Sequence, residues 1–282
     1  MKHEVHLSQG TIRYREDGNG EPLLFVHGVV VNGDLWRKVV LRLSKDFRCI
    51  VPDWPLGSHE IPMSADADLT PPGLARLVVD FMDALGLETV TLVGNDTGGA
   101  ICQLVASEYP DRVARLVLTS CDLYDRFPPP VFKPLAKVVK IPGATWLITQ
   151  SLRPRMAQRL PIAFGWVTKR LPEQSVVDSY LEPGRSSGGV RRDLAKVFGS
   201  VDARYTIEAA EKLKSFGKPV LLAWASEDKL FPVEYARRLA SELPDATIEE
   251  IPDSYTFIAE DQPERLADVI AAFVRRPAAV SA

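Results

Sequence analysis

The sequence predicts an α/β fold: a mostly parallel central sheet with helices on both faces and an inserted helical cap. Three observations carry that prediction. Short, continuously apolar runs recur at Pro22–Val26, 47–51, 90–93, 113–119 and 219–224, as expected for strands buried on both faces. Segments with helical spacing lie between most of them, and alternating strands and helices make parallel sheets. The rhythm stops after Cys121 and resumes near Pro219, which marks an insertion.

Taken in order, residues 5–7 and 11–15 form a polar hairpin around Gln9-Gly10, suited to a sheet edge. The run Pro22–Val26 is the first buried strand. Residues 34–43 have helical spacing, and 47–51 is the next strand, ending at Pro52-Asp53. Thr70-Pro71 reads as a helix start, a hydroxyl cap followed by proline at the first helical position. That helix continues through Val78, Val79 and Met82 to a stop at Gly86. Residues 90–93 are a strand, 98–109 a helix and 113–119 a strand. Residues 123–210 are rich in proline and basic residues, with apolar segments such as Trp146-Leu147-Ile148 and Phe164-Gly165-Trp166-Val167 but no strand rhythm. They are expected to form the helical cap, with a mobile loop at 183–189. Residues 1–122 and 211–282 are expected to form the core. Its second part has a strand at 219–224, a helix at 233–243, a strand at 247–251 and a last helix at 263–274. A short Pro/Ala-rich stretch closes the chain, and no internal repeat is present.

Composition narrows the function classes. With 282 residues, 46% of them hydrophobic, the chain can bury a sizeable core. A net charge of −3 gives no basic balance for nucleic acid or an anionic membrane. The N-terminal stretch has no apolar signal core and no run reaches the length of a membrane span. Three cysteines, Cys49, Cys102 and Cys121, have no metal-ligand spacing and read as reduced, buried thiols. The expectation is a cytoplasmic protein with a small-molecule partner, no nucleic-acid or membrane partner, and an oligomeric state that leaves room for a homodimer. No metal cluster and no dinucleotide-type phosphate loop is present, so neither cofactor nor metal is expected.

The informative segment is Leu92-Val93-Gly94-Asn95-Asp96-Thr97-Gly98-Gly99-Ala100. A predicted strand runs straight into Gly-x-Asp-x-Gly, and a helix follows. This is the strand–turn–helix setting of a nucleophile elbow. The tip residue is strained, so residues two positions away must be small. Its side chain then sits at a helix N-terminus, which favours negative charge. An Asp-capped tight turn would read the same locally. The elbow is favoured because His27-Gly28, Asp53 with Gly57, and Asp228 all follow predicted strands, at the ends where α/β sheets bind ligands.

With those residues, the chain resembles the α/β-hydrolase superfamily, closest to its haloalkane dehalogenase and epoxide hydrolase branch. The resemblance runs through His27-Gly28, Leu35-Trp36-Arg37, Pro52-Asp53, Gly94 to Gly99, Asp228 and Glu260-Asp261-Gln262-Pro263. It implies Asp96 as nucleophile, Asp228 as the acid orienting a base, and an oxyanion hole at Val29 and Thr97. His27 would support the oxyanion loop at the edge of the substrate site.

The pattern breaks at the base. The resemblance puts a histidine where this chain has Thr256, and its four histidines are His3, His6, His27 and His59. A hydroxyl has no pKa suited to general-base work near neutral pH. His59, on a loop leaving the strand at 47–51, is the candidate replacement; the competing reading is a histidine bonded locally. Thr256 then becomes a candidate substrate-contacting residue. Dehalogenases hold the leaving halide with side-chain donors at the places filled here by Thr97 and Val29, which disfavours dehalogenation. Epoxide hydrolases use cap tyrosines, so Tyr124 and Tyr180 are candidates, with Tyr124 the first choice for contacting substrate. Asp122, Asp125 and the Arg191-Arg192-Asp193 cluster read either as pocket groups or as ordinary caps and ion pairs.

Two functions follow. One is an enzyme acting through Asp96 on a small, mostly apolar substrate, either a hydrolase with an atypical base or a lyase, cyclase or decarboxylase in which Asp96 transfers a proton. The other is a hydrolase relative that only binds a small ligand.

Overall fold

The computed structural model describes residues 2–139, 141 and 143–276. The closing Pro/Ala-rich stretch lies outside them. Strands β1 (Lys2–Leu7) and β2 (Gly10–Asp17) form the predicted edge hairpin, with Ile12 and Tyr14 turned inward. The apolar runs become β3 (Pro22–Val26), β4 (Arg48–Pro52), β5 (Val90–Asp96), β6 (Val113–Cys121) and β7 (Val220–Ala225); β8 (Ala246–Ile251) closes the other edge. Among the described residues they form one sheet in the order β1-β2-β4-β3-β5-β6-β7-β8. Strand β2 is antiparallel to both its neighbours and every other pair is parallel. The mostly parallel sheet is therefore as predicted.

Helices cover both faces. Helix α1 (Arg37–Leu43) is entered through a single tight turn at Gly33–Trp36, so the predicted helix at 34–43 begins as a 3-10 turn. In α2 (Pro71–Ala84) the Thr70 hydroxyl accepts from the Gly73 N–H at 3.3 Å, and Gly86 ends the helix at φ 64°. Leu74, Leu77, Val78, Phe81 and Met82 line its buried face. Each such side chain contributes about 1.5–3 kcal/mol by leaving water. Helix α3 (Thr97–Glu108) starts at the elbow, and α4 (Lys133–Val138), α5 (Ala144–Ser151), α6 (Arg155–Gln158), α7 (Gln174–Ser186), α8 (Gly188–Ser200) and α9 (Ala203–Leu213) lie between β6 and β7. Helices α10 (Val233–Glu242), α11 (Ile258–Asp261) and α12 (Pro263–Val274) complete the described chain.

The expected mobile loop at 183–189 is replaced by helix. Pro183 lies inside α7, and Ser187 caps α8 by accepting from the Val190 N–H. Proline removes a donor from the helix interior. Here the carbonyl it leaves free, that of Ser179, accepts instead from the Asn32 side chain at 3.1 Å. Arg185, buried in the same segment, donates to the carbonyls of Thr149 and Leu152.

Two buried carboxylates tie the late loops down. Glu260 is held by Arg37 and Lys38 of α1. Asp261 accepts from the Thr168 hydroxyl at 2.8 Å and from the backbone N–H groups of Lys169, Arg170 and Tyr255. This joins the inserted helices to the loop before α11.

Candidate active site

The sheet ends bring four pieces of chain together: the loop after β3, the turn after β5, the end of β6 and the loop after β7. At the turn, Asp96 adopts φ 53° and ψ −133°, a conformation that costs an ordinary residue about 1–3 kcal/mol. The neighbouring glycines make it possible. A side chain at Gly98 would collide with the Val26 carbonyl, and one at Gly94 would press on Gly99 and the Cys102 thiol. A side chain at Gly28 would occupy the space of the Asp96 carboxyl itself. The carboxyl accepts from the backbone N–H groups of Val29 and Thr97, the two positions expected to form an oxyanion hole.

Burial pushes the Asp96 carboxyl up to about 7, against those two N–H groups, with the charge of Asp228 adding to the rise. Asp228 is pushed up to about 6 by burial, opposed by the N–H groups of Phe231 and Leu230 and the hydroxyl of Thr256. One of its oxygens accepts from Leu230 at 2.8 Å, Phe231 at 2.9 Å and Thr256 Oγ1 at 3.0 Å. The other is buried without a partner. A third carboxyl, Asp122, stands at the end of β6. It accepts from Thr97 Oγ1 at 3.3 Å through one oxygen, while the other is buried and unpartnered. Burial, then the charge of Asp96, raises Asp122 well above the ordinary carboxylate range. With no cation facing them, burial raises all three carboxyls, because a charge in low dielectric is costly.

The Asp96 carboxyl faces a cavity of about 120 Å³. Its walls are apolar, with Phe127, Phe132, Phe164, Phe198, Leu230 and Phe257 prominent. Thr97, Thr145 and Thr149 are the other polar residues among its described lining, which includes no Lys, Arg or His.

Of the residues singled out from the sequence, Asp96, Val29 and Thr97 line this cavity and Asp228 lies behind it. The others do not. His59 is buried against Asp193, its Nε2 lying 3.1 Å from Asp193 Oδ2, and it is absent from the cavity wall. The expectation that it supplies the base is therefore corrected: its loop is drawn towards α8, where Asp193 also accepts from the Met63 N–H at 2.8 Å. The Arg191-Arg192-Asp193 cluster is accordingly a structural clasp. His27 is equally removed from substrate. Its Nε2 accepts from the Trp54 N–H at 2.9 Å, and its Nδ1–H donates to the Gly28 carbonyl at 2.8 Å. Burial holds its pKa down to about 4, so it is neutral and supports the oxyanion loop. Tyr124 is buried away from the cavity wall, its hydroxyl on Glu242 at 3.1 Å and its ring under Arg238. Thr256 is fully buried and turned to Asp228 rather than to the cavity. Tyr180 is buried beside Glu260 and Arg37, away from the cavity wall.

Asn95, unremarked in the sequence, links the parts. Its side-chain N–H groups donate to the carbonyls of Thr119, Ser120 and Thr256 at 2.9, 3.2 and 2.8 Å. Its place directly before the tip was the one available signal. The aromatic walls had none beyond being apolar.

Comparison with known proteins gives the same family. A profile of the alpha/beta hydrolase fold matches residues 21–142. The chain is 31% identical over 271 residues to haloalkane dehalogenase 2 of Mycobacterium tuberculosis strain H37Rv, covering 93% of this chain and 91% of that protein. It is 26% identical over 288 residues to the cis-3-alkyl-4-alkyloxetan-2-one decarboxylase of Shewanella oneidensis, covering 97% and 88%. Among solved structures it resembles the epoxide hydrolase CorEH, with a TM-score of 0.81 at 20% identity over 97% of this chain and 98% of that one. A haloalkane dehalogenase DbeA variant from Bradyrhizobium elkanii gives 0.80 at 19% identity over 97% and 96%. These structural likenesses speak for the fold.

Proposed function

The chain belongs to the α/β-hydrolase family, in the branch that contains the haloalkane dehalogenases, and from that membership we propose an enzyme that acts through Asp96 on a small, neutral, mostly apolar substrate by proton transfer. One observation carries the reading: the elbow carboxyl faces an apolar cavity whose described lining has no imidazole or amine, and burial there pushes its pKa up to about 7. A group with its pKa near the working pH exists in both forms, the condition for acting as base and then as acid. As carboxylate, Asp96 takes a proton from the substrate. As acid, it returns the proton to another atom or to the leaving group. The absence of a cation from the described lining argues against an anionic substrate. Elimination, isomerisation and the opening of a strained neutral ring all fit this scheme. The decarboxylase named for an oxetan-2-one is a relative whose name specifies a neutral, cyclic compound.

A second reading is favoured by the strained tip and the two N–H groups on the carboxyl. In it, Asp96 attacks carbon, the leaving group departs and an ester forms. Hydrolysis of that ester needs a base to deprotonate water. Thr256 cannot supply it and His59 is engaged with Asp193, so the ester would accumulate.

The two readings part in one experiment. The protein is incubated in deuterium oxide with panels of epoxides, lactones, activated esters and haloalkanes. Proton transfer predicts turnover and an unmodified protein mass, with deuterium at a newly protonated carbon when the Asp96 carboxyl exchanges with solvent before it gives the proton back. The covalent reading predicts a stable mass increase on Asp96. Neither turnover nor adduct across the panels would replace both readings by that of a small-ligand-binding relative.

A further inference from the structure

Two properties coincide on one stretch between β6 and β7. From Arg126 to Arg170 the sequence has nine Lys or Arg and no Asp or Glu, in a chain of net charge −3. Of the ten exposed large hydrophobic side chains among the described residues, eight fall between 138 and 166. Leu147 is 63% exposed, Met156 85% and Ile162 65%. Scattered exposed apolar residues are normal, whereas gathered ones mark an interaction surface. Lys169 and Arg170, at the end of the stretch, are paired with Glu227 and Asp253. The ion pairs of this stretch among the described residues are those of Lys169 and Arg170, and Lys133, Lys137, Arg153 and Arg159 take part in none. Ile141 and Trp146 share a surface depression with Arg191 and Arg192, so apolar and cationic groups lie side by side.

We propose that this face docks on an anionic lipid bilayer. Exposed Trp, Leu and Met side chains are suited to the boundary between headgroups and acyl chains, and Lys and Arg can reach the headgroup phosphates while their stems stay in the apolar layer. The cations add electrostatic attraction that falls off within a Debye length. The rest of the chain is correspondingly acidic, which favours this face in the approach to the membrane. The net charge, read as excluding an anionic membrane, conceals the segregation because it averages over it. Ile162 also lines the Asp96 cavity, so the docking face is continuous with the pocket and an apolar molecule dissolved in the bilayer has a short way in. No helix of the described residues is long and apolar enough to cross a membrane; the binding is peripheral. This inference rests on surface residues and stands apart from the chemistry of Asp96.

The test is co-sedimentation of the full chain with vesicles of phosphatidylcholine alone, and of phosphatidylcholine with a quarter phosphatidylglycerol. Binding to the anionic vesicles, weakened by salt, is expected. The pair Trp146→Ser with Leu147→Ser, and separately the set Lys133→Glu, Lys137→Glu and Arg159→Glu, should each weaken it roughly tenfold or more. A second readout needs no variant: brominated lipid should quench only part of the tryptophan emission, because Trp36, Trp54 and Trp224 are fully buried while Trp146 and Trp166 are exposed. Equal affinity for neutral and anionic vesicles, or no quenching, overturns the proposal. So does a dimer in solution that the Trp146→Ser, Leu147→Ser pair dissociates while vesicles remain unbound, since a second copy would then cover the face.

Discussion

Thr256 donates its hydroxyl to one oxygen of Asp228 at 3.0 Å, and the second oxygen of that carboxyl is buried with nothing to accept from. The pair shows what became of the missing base. The acid that would orient an imidazole remains, but its neighbour is a hydroxyl that bonds it and is too weak a base to take up a proton near neutral pH. Thr256→Val keeps the shape and removes that donor. It should cost about 1–2 kcal/mol in urea unfolding and push the Asp228 pKa further up, since Thr256 is among the groups holding it down. An unchanged midpoint of unfolding would mean the contact is not made.

Asp96 makes folding stability depend on pH in a predictable direction. Its folded pKa of about 7 lies above the ordinary 3.8, so between those values the folded state binds more protons than the unfolded state. Stability therefore falls as pH rises from about 4 to 7. Asp122 and Asp228, raised likewise, act in the same sense. Asp96→Asn removes the charge while leaving an oxygen for the Val29 and Thr97 N–H groups. It should abolish turnover and stabilise the protein by about 2–4 kcal/mol at pH 8, with little gain at pH 4. Thermal melts at the two pH values check this. A variant no more stable at pH 8 than the parent would show that the carboxyl is not desolvated.

The elbow was legible because its signal is steric and local: glycines at 94 and 98 around an aspartate admit few backbones. The sheet was legible because buried parallel strands leave continuous apolar runs. The cap was less so. Pro183 and the glycines at 184, 188 and 189 are loop formers by local preference, but Asn32 takes up the carbonyl that Pro183 frees and the helix holds. His59 could not be placed from sequence, since its partner Asp193 lies 134 residues away. Tyr124 and the aromatic walls illustrate the same limit, as position in the cap does not say which side a ring faces.

The clasp between His59 and Asp193 gives a test that separates stability from chemistry. His59→Ala leaves Asp193 Oδ2 with the Met63 N–H as its remaining partner, while Arg192 holds the other oxygen. Loss of a buried polar contact of this kind costs about 1–3 kcal/mol. The pH profile of kcat should be unchanged, because His59 does not reach the cavity. A profile that loses a limb in His59→Ala would return this histidine to the reaction.

Asn95 carries the last prediction, because it fastens the elbow to the loop that supplies a cavity wall. Its side chain donates to Thr119, Ser120 and Thr256, and Phe257, next in sequence, lines the pocket. Asn95→Ala removes the two N–H donors that these three carbonyls share in the interior, at a cost of about 1–3 kcal/mol. The strain at Asp96 is set by glycines and not by Asn95, so the carboxyl should keep its environment. The variant should therefore raise KM several-fold through a loosened Phe257 wall while the midpoint of the kcat–pH profile stays in place. A shifted midpoint with an unchanged KM would reverse that assignment and make Asn95 part of the electrostatics of the carboxyl cluster.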